Sequence, residues 1–66
     1  MRTMKSADVI RRLRREGWVL HNVCGSHQQF KHPERPGKVT VPHPKRELPV
    51  ATLRSIYRQA GWPWRG

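Results

Sequence analysis

Gly25-Ser26-His27-Gln28-Gln29-Phe30-Lys31-His32-Pro33 carries a turn, a strand and a stop in one short run. Gly25-Ser26 is a turn signal, and Pro33 breaks the run at its far end. Between them His27 to His32 reads as a strand, in which side chains alternate between two faces. Phe30 is the only large apolar residue in the run, so it points into the core. His27, Gln29 and Lys31 then fall on the opposite, open face, and His32 shares Phe30's side.

The rest of the chain arranges itself around this strand. Upstream, Trp18 to Cys24 is rich in aromatic and β-branched types and reads as a first strand. Before it, Val9, Ile10 and Leu13 recur at helical spacing, with Ser6 as the expected cap, Asp8 in the first turn and Gly17 as the stop. Arg11, Arg12, Arg14 and Arg15 occupy the remaining helix surface. Downstream, Pro33 to Gly37 suits a loop, and Lys38-Val39-Thr40-Val41 alternates as a short third strand. With Val39 and Val41 inward, Lys38 and Thr40 join the open face. Pro42 and Pro44 are expected to forbid continuation of that strand. A second helix begins with Pro49 at its first position, carries the stripe Leu53, Ile56, Tyr57 and Ala60, and ends at Gly61 and Pro63. The expected fold is α+β in α-β-β-β-α order. It has a three-stranded antiparallel sheet with two helices on one face and solvent on the other. One domain spans residues 1–66, with 1–4 and 62–66 as peripheral tails.

Composition narrows the function. The chain has 66 residues, too few for a large core or a deep pocket, so function is expected on an exposed face. Its single cysteine, Cys24, cannot form an internal disulfide, which fits a reducing compartment. No apolar segment comes after the basic N-terminus, and no run approaches bilayer length, so the cytoplasm is the expected location. Fourteen Lys and Arg against four Asp and Glu leave a formal charge of +10. A soluble surface without a target usually mixes both signs, so this balance points to a polyanion. Arg outnumbers Lys by ten to four, and Arg forks onto phosphate oxygens and stacks on bases. No basic helix with a strong apolar face is present to insert into a membrane.

The open face gathers a histidine, an amide, lysines and a hydroxyl, groups suited to RNA. The RNA 2′-hydroxyl is an internal nucleophile. Cleavage needs its proton removed, the leaving oxygen protonated and the phosphate charge balanced. Histidine can move the protons and Lys or Arg can balance the charge, without a metal or cofactor. Composition and spacing alone favour the plainer reading of His27 as a surface histidine after a turn. Of the other histidines, His21 is a candidate half-buried strand residue, and His43 lies between two prolines in a basic loop. His21, Cys24 and His27 are zinc-ligand types, but on a strand they would not converge on one point. Cys24 reads as a small packing residue or a strand-end thiol.

Taken together, the motifs resemble those of HicA-type toxins. Gly25-Ser26-His27-Gln28-Gln29-Phe30 resembles the family's G-S-H-x-x-F segment. Val39-Thr40-Val41-Pro42-His43-Pro44 is similar to its third strand and exit, and Leu48 to Gly61, around Thr52-Leu53-Arg54-Ser55-Ile56, to its closing helix. Gly17-Trp18 after a basic first helix also fits, so the resemblance covers Lys5 to Gly61. It implies a fold like the double-stranded-RNA-binding domain and the activity of an mRNA-cleaving toxin, held in check by a HicB-type antitoxin. It maps the catalytic histidine onto His27. Many relatives carry a second histidine next, where this chain has Gln28. On this reading Lys31 and Lys38 position the phosphate, Gly25 allows the tight turn beside His27, and Ser26 caps it. No cofactor is expected. The partners are mRNA and an acidic antitoxin that masks the His27 face. A non-catalytic RNA-binding module of the same fold is the alternative. A DNA-binding module is weaker, because neither helix-turn-helix spacing nor a zinc finger is present.

Overall fold

The computed structural model describes residues 4–64. They run as helix α1 (Ser6–Arg15), strands β1 (Val19–Cys24), β2 (His27–His32) and β3 (Arg35–Pro42), and helix α2 (Val50–Ala60), in the expected α-β-β-β-α order. The strands form one antiparallel sheet in the order β1-β2-β3.

α1 buries Val9, Ile10 and Leu13 on the spacing read from the sequence. Asp8 in its first turn and Arg12, Arg14 and Arg15 in its last turn complement the helix dipole. Ser6 is not its cap. The N-cap is Lys5, without a side-chain cap bond, and Ser6 is the first helical residue. The Ser6 hydroxyl is used elsewhere: its Oγ accepts the Lys45 amide N–H at 2.8 Å and lies 2.7 Å from His43 Nδ1. Burial explains the substitution of roles, because a hydroxyl 1% exposed needs fixed partners more than a helix end near water needs a cap. α2 begins after Pro49 as N-cap and ends at Gly61 in the left-handed conformation.

The third strand is longer than its sequence suggests. It starts at Arg35, so Pro33-Glu34 is a two-residue turn and the expected Pro33–Gly37 loop is mostly strand. The register shows why this was hidden. Lys31 faces Lys38 but His32 faces Arg35, which leaves Pro36 and Gly37 as extra residues in a bulge. A bulge on an edge strand tolerates a proline without its N–H, and Gly37 supplies the positive φ of 77°. At the other end Pro42 still pairs, opposite His27. β1 carries its own irregularity between Leu20 and Asn22, which leaves His21 as the extra residue.

The core lies between sheet and helices. Phe30, Val39 and Val41 of the sheet meet Val9, Leu13, Leu53 and Ile56 of the helices and Leu48 of the preceding connection. α2 packs chiefly on β3, and α1 also touches β3. The helices cover β1 less: Leu20 packs against the core, but Val23, on the same side, remains 53% exposed, and Val19 on the open side is 61% exposed. Trp62, read as the start of a peripheral tail, belongs to the core instead, at 6% exposure. Its ring meets Tyr57 edge-on, the Arg12 guanidinium lies 3.9 Å from its centroid, and its Nε1–H donates to Glu16 Oε1 at 2.7 Å. Burying so large a ring outweighs leaving it in water. Met4 and Trp64 also pack against the core; Arg65, Gly66 and residues 1–3 lie outside the described residues.

Candidate active site

Phe30 sets the sheet's parity, and parity sets the site. Directly opposed residues in an antiparallel sheet share a face. The open face therefore consists of three rungs: Cys24, His27 and Pro42; Asn22, Gln29 and Thr40; and Val19, Lys31 and Lys38. His27, Lys31 and Lys38 are exposed, whereas Gln29 and Thr40 are half-buried. Lys38 Nζ reaches toward Gln29 Oε1 at 3.5 Å, which links the second and third rungs.

His27 begins β2 immediately after the turn. Gly25 takes a φ of 61° there, which lets the chain reverse next to the histidine. Ser26 contributes its backbone: its carbonyl accepts the His43 N–H at 2.6 Å, which extends the β2–β3 pairing past Pro42. The rung is thereby held at its outer end. The His27 ring hydrogen-bonds to none of the described residues. Its nitrogens face solvent on a surface that a polymer can reach.

The other histidines are occupied differently. Glu34 N–H donates to His32 Nδ1 at 2.9 Å, so the proton sits on Nε2, which donates to Glu16 O at 2.9 Å. The ring also meets Trp18 edge-on, on the Phe30 side as expected. His43 is half-buried against Ser6, beside a cleft between the start of α1 and residues 43–47. His21 is exposed at the β1 bulge rather than half-buried. Cys24 is exposed on the first rung, so it is a strand-end thiol and not a packing residue. Among the described residues no group of three His, Cys, Asp or Glu side chains is placed to hold a metal ion.

Carboxylates are kept off this face. Asp8 pairs with Arg11 at 3.1 Å and Glu16 with Arg12 at 3.2 Å, both on α1. Glu34 stands in the β2–β3 turn and Glu47 in the connection to α2. The three rungs carry lysine and histidine without an acidic neighbour among them, a field suited to phosphate. One residue was missed from the sequence. Arg35 closes the third rung's end of the sheet, where Lys31, His32, Arg35, Gly37 and Lys38 line a concavity of about 390 Å3. Its guanidinium turns to the helix side, where Nη1 donates to Ala60 O at 3.2 Å, and the run Arg35-Pro36-Gly37 carried no strand signal to place it there. No helix of the described residues is long and apolar enough to cross a membrane.

No curated protein matches the chain. The family model described as the HicA toxin of bacterial toxin–antitoxin systems matches residues 6–62, from the first residue of α1 to the buried Trp62. With that span, the α-β-β-β-α fold and the open sheet face in place, the chain belongs to the HicA toxin family, the toxins of toxin–antitoxin pairs.

Proposed function

We propose that the protein is a cytoplasmic endoribonuclease that cleaves mRNA at the His27 face without a metal ion. The observation that carries this reading is the exposed, unbonded His27 ring at the end of a basic face. The RNA 2′-oxygen attacks the adjacent phosphorus and the bond to the 5′-oxygen breaks. The products are a 2′,3′-cyclic phosphate and a 5′-hydroxyl. One proton leaves the 2′-oxygen and one reaches the 5′-oxygen. His27 carries one of these transfers as general acid or base, and solvent carries the other. Lys31 and Lys38 hold phosphate charge on the same face. Gly25 and Ser26 set the turn that presents His27.

The cognate HicB-type antitoxin is an acidic chain that covers this face and competes with RNA. A surface of net charge +10 favours fast capture by an acidic partner. A lasting complex buries on the order of 1,200–2,000 Å2 in total, a large share of a molecule whose accessible surface is 4630 Å2.

The test is an RNA-cleavage assay with purified protein and its His27→Ala variant, with and without chelator. The expected result is cleavage in chelator, with cyclic-phosphate and 5′-hydroxyl ends, that the variant loses. Full cleavage by the variant removes His27 from the chemistry. RNA binding without cleavage by the unaltered protein turns the reading to a non-catalytic RNA-binding module. Dependence on added metal overturns the mechanism.

A further inference from the structure

The sheet has two edges, and they are finished differently. β3 is closed to further pairing. Pro36 and Pro42 have no N–H, Arg35 and Lys38 bring charge, and the bulge at Pro36 and Gly37 breaks the ladder. α2 takes up a further donor: Gln59 Oε1 accepts the Thr40 N–H at 2.9 Å, and Gln59 Nε2–H is itself held by Ser55 Oγ at 3.0 Å. Proline, bulges, charge and a covering element stop an edge from pairing with another chain. β1 has one of these, the bulge at His21. Its run Val19-Leu20-His21-Asn22-Val23-Cys24 contains no proline and no Lys, Arg, Asp or Glu, in a chain of net charge +10.

The register shows which β1 groups turn outward. Thr40 sends its N–H out of the sheet to Gln59, so Gln29 opposite it turns its own N–H and C=O toward β1 and Asn22. By the alternation along an antiparallel pair, Val23 after Asn22, and Leu20 across the bulge, point theirs outward. No group outside the sheet among the described residues bonds either N–H. The Val23 side chain is also 53% exposed.

We propose that β1 is the docking edge for the antitoxin, an extended segment of which adds to the sheet as a fourth strand beside Val23. The proposal rests on the reading of the chain as a toxin held by an acidic antitoxin. Charge selects that occupant over a second copy of this chain, which would set +10 against +10. In strand addition main-chain hydrogen bonds give affinity and alternate side chains give specificity. The added strand lies about 4.8 Å from β1. Its side chains on the helix side meet Val23, which suits apolar residues. Those on the open side extend the rungs of Cys24 with His27 and of Asn22 with Gln29, which suits acidic residues beside the basic face. The docked segment is thereby delivered to the His27 end of the sheet.

Amide hydrogen exchange in the free protein and in its complex with the purified cognate antitoxin tests this. The Val23 and Leu20 amides are expected to exchange rapidly in the free protein and slowly in the complex. The Asn22 amide, turned to β2, is expected to be slow in both. Val23→Pro removes an outward N–H and leaves the ladder to β2 intact, as an edge position tolerates. It should weaken antitoxin binding about tenfold, the loss of one interfacial hydrogen bond, and leave RNA cleavage unchanged. A thermal melt accompanies it, and if the variant does not fold, exchange in the unaltered complex decides alone. A Val23 amide that still exchanges rapidly in a complex that inhibits cleavage sinks the added strand and leaves the masking of His27 standing. Protection that grows with the concentration of the protein alone makes the occupant a second copy and overturns the proposal. A protected Val23 in a complex that still cleaves RNA keeps the added strand and sinks the masking. Failure of the two chains to bind overturns both.

Discussion

The two faces of the sheet use the same kinds of polar residue in opposite ways. On the helix side polar groups are spent on the fold. Ser6 ties α1 to His43 and Lys45, His32 bonds at both nitrogens, and Glu16 receives Arg12 and Trp62. On the open side His27 and Lys31 make no side-chain hydrogen bond among the described residues, and Lys38 makes one long contact at 3.5 Å. The difference comes from water. A buried polar group without a partner costs about 1–3 kcal/mol, whereas an exposed one is already solvated. The open face can therefore hold groups that contribute little to folding and remain available to a ligand.

That contrast can be broken most sharply at its two aromatic and imidazole extremes. His27→Ala should lose about 10²–10⁴-fold in RNA cleavage if the ring moves a proton. Its unfolding free energy should stay within about 0.5 kcal/mol, as for other surface substitutions. A thermal melt beside the cleavage assay separates the two, and unfolding of the variant would make His27 a structural residue. Trp62→Ala should do the reverse. Truncating a buried tryptophan costs about 3–5 kcal/mol. A chain of 66 residues has only about 0.05–0.15 kcal/mol per residue to lose, so circular dichroism should show much of the variant unfolded at room temperature. A loss near zero would return Trp62 to a peripheral tail.

Smaller effects sharpen the comparison. Ser6→Ala removes the hydroxyl shared by His43 and Lys45 and should cost about 1–3 kcal/mol, read as a lower urea midpoint at unchanged slope. An unchanged midpoint would mean that water replaces the hydroxyl there. The smallest effect is the pH dependence contributed by Glu16. Burial pushes its carboxyl up, but hydrogen bonds from Trp62 and Arg12 and the charges of Arg12 and Arg35 outweigh this and hold it below its ordinary value of 4.5. A carboxylate depressed in the folded state stabilises the fold above the unfolded pKa. That contribution fades as pH falls through the folded one. Glu16→Gln should therefore lower stability at neutral pH and flatten the decline below about pH 4.5. A variant with the same acid limb as the unaltered protein would show that Glu16 adds nothing there.

Much of this division was legible in local pattern. Helical spacing located Val9, Ile10, Leu13, Leu53, Ile56, Tyr57 and Ala60, all buried. Strand parity read from Phe30 alone placed His27, Gln29 and Lys31 on the open face, because a period of two leaves no third choice. Where the reading failed, a distant contact had overridden a local rule. Ser6 has the chemistry of a cap, but the connection after β3 passes close enough to claim its hydroxyl. Trp62 comes after a helix stop, yet the Arg12, Glu16 and Tyr57 side chains make a site for its ring. Arg35 sits in a run that reads as loop, because Pro36 and Gly37 in a bulge look locally like Pro and Gly in a turn.

The sequence by itself determined the element types, their order, the charge of +10 and the face on which His27 stands. Those arise from steric preference, side-chain alternation and composition, which act over a few residues. Only the tertiary structure decided which polar groups are consumed by the fold and which are left over. It joined Ser6 to His43 across 37 residues, Trp62 to Glu16 across 46 and Arg35 to Ala60 across 25. Hydrogen bonding and burial depend on what the folded chain brings alongside a group, and no local pattern contains that neighbour.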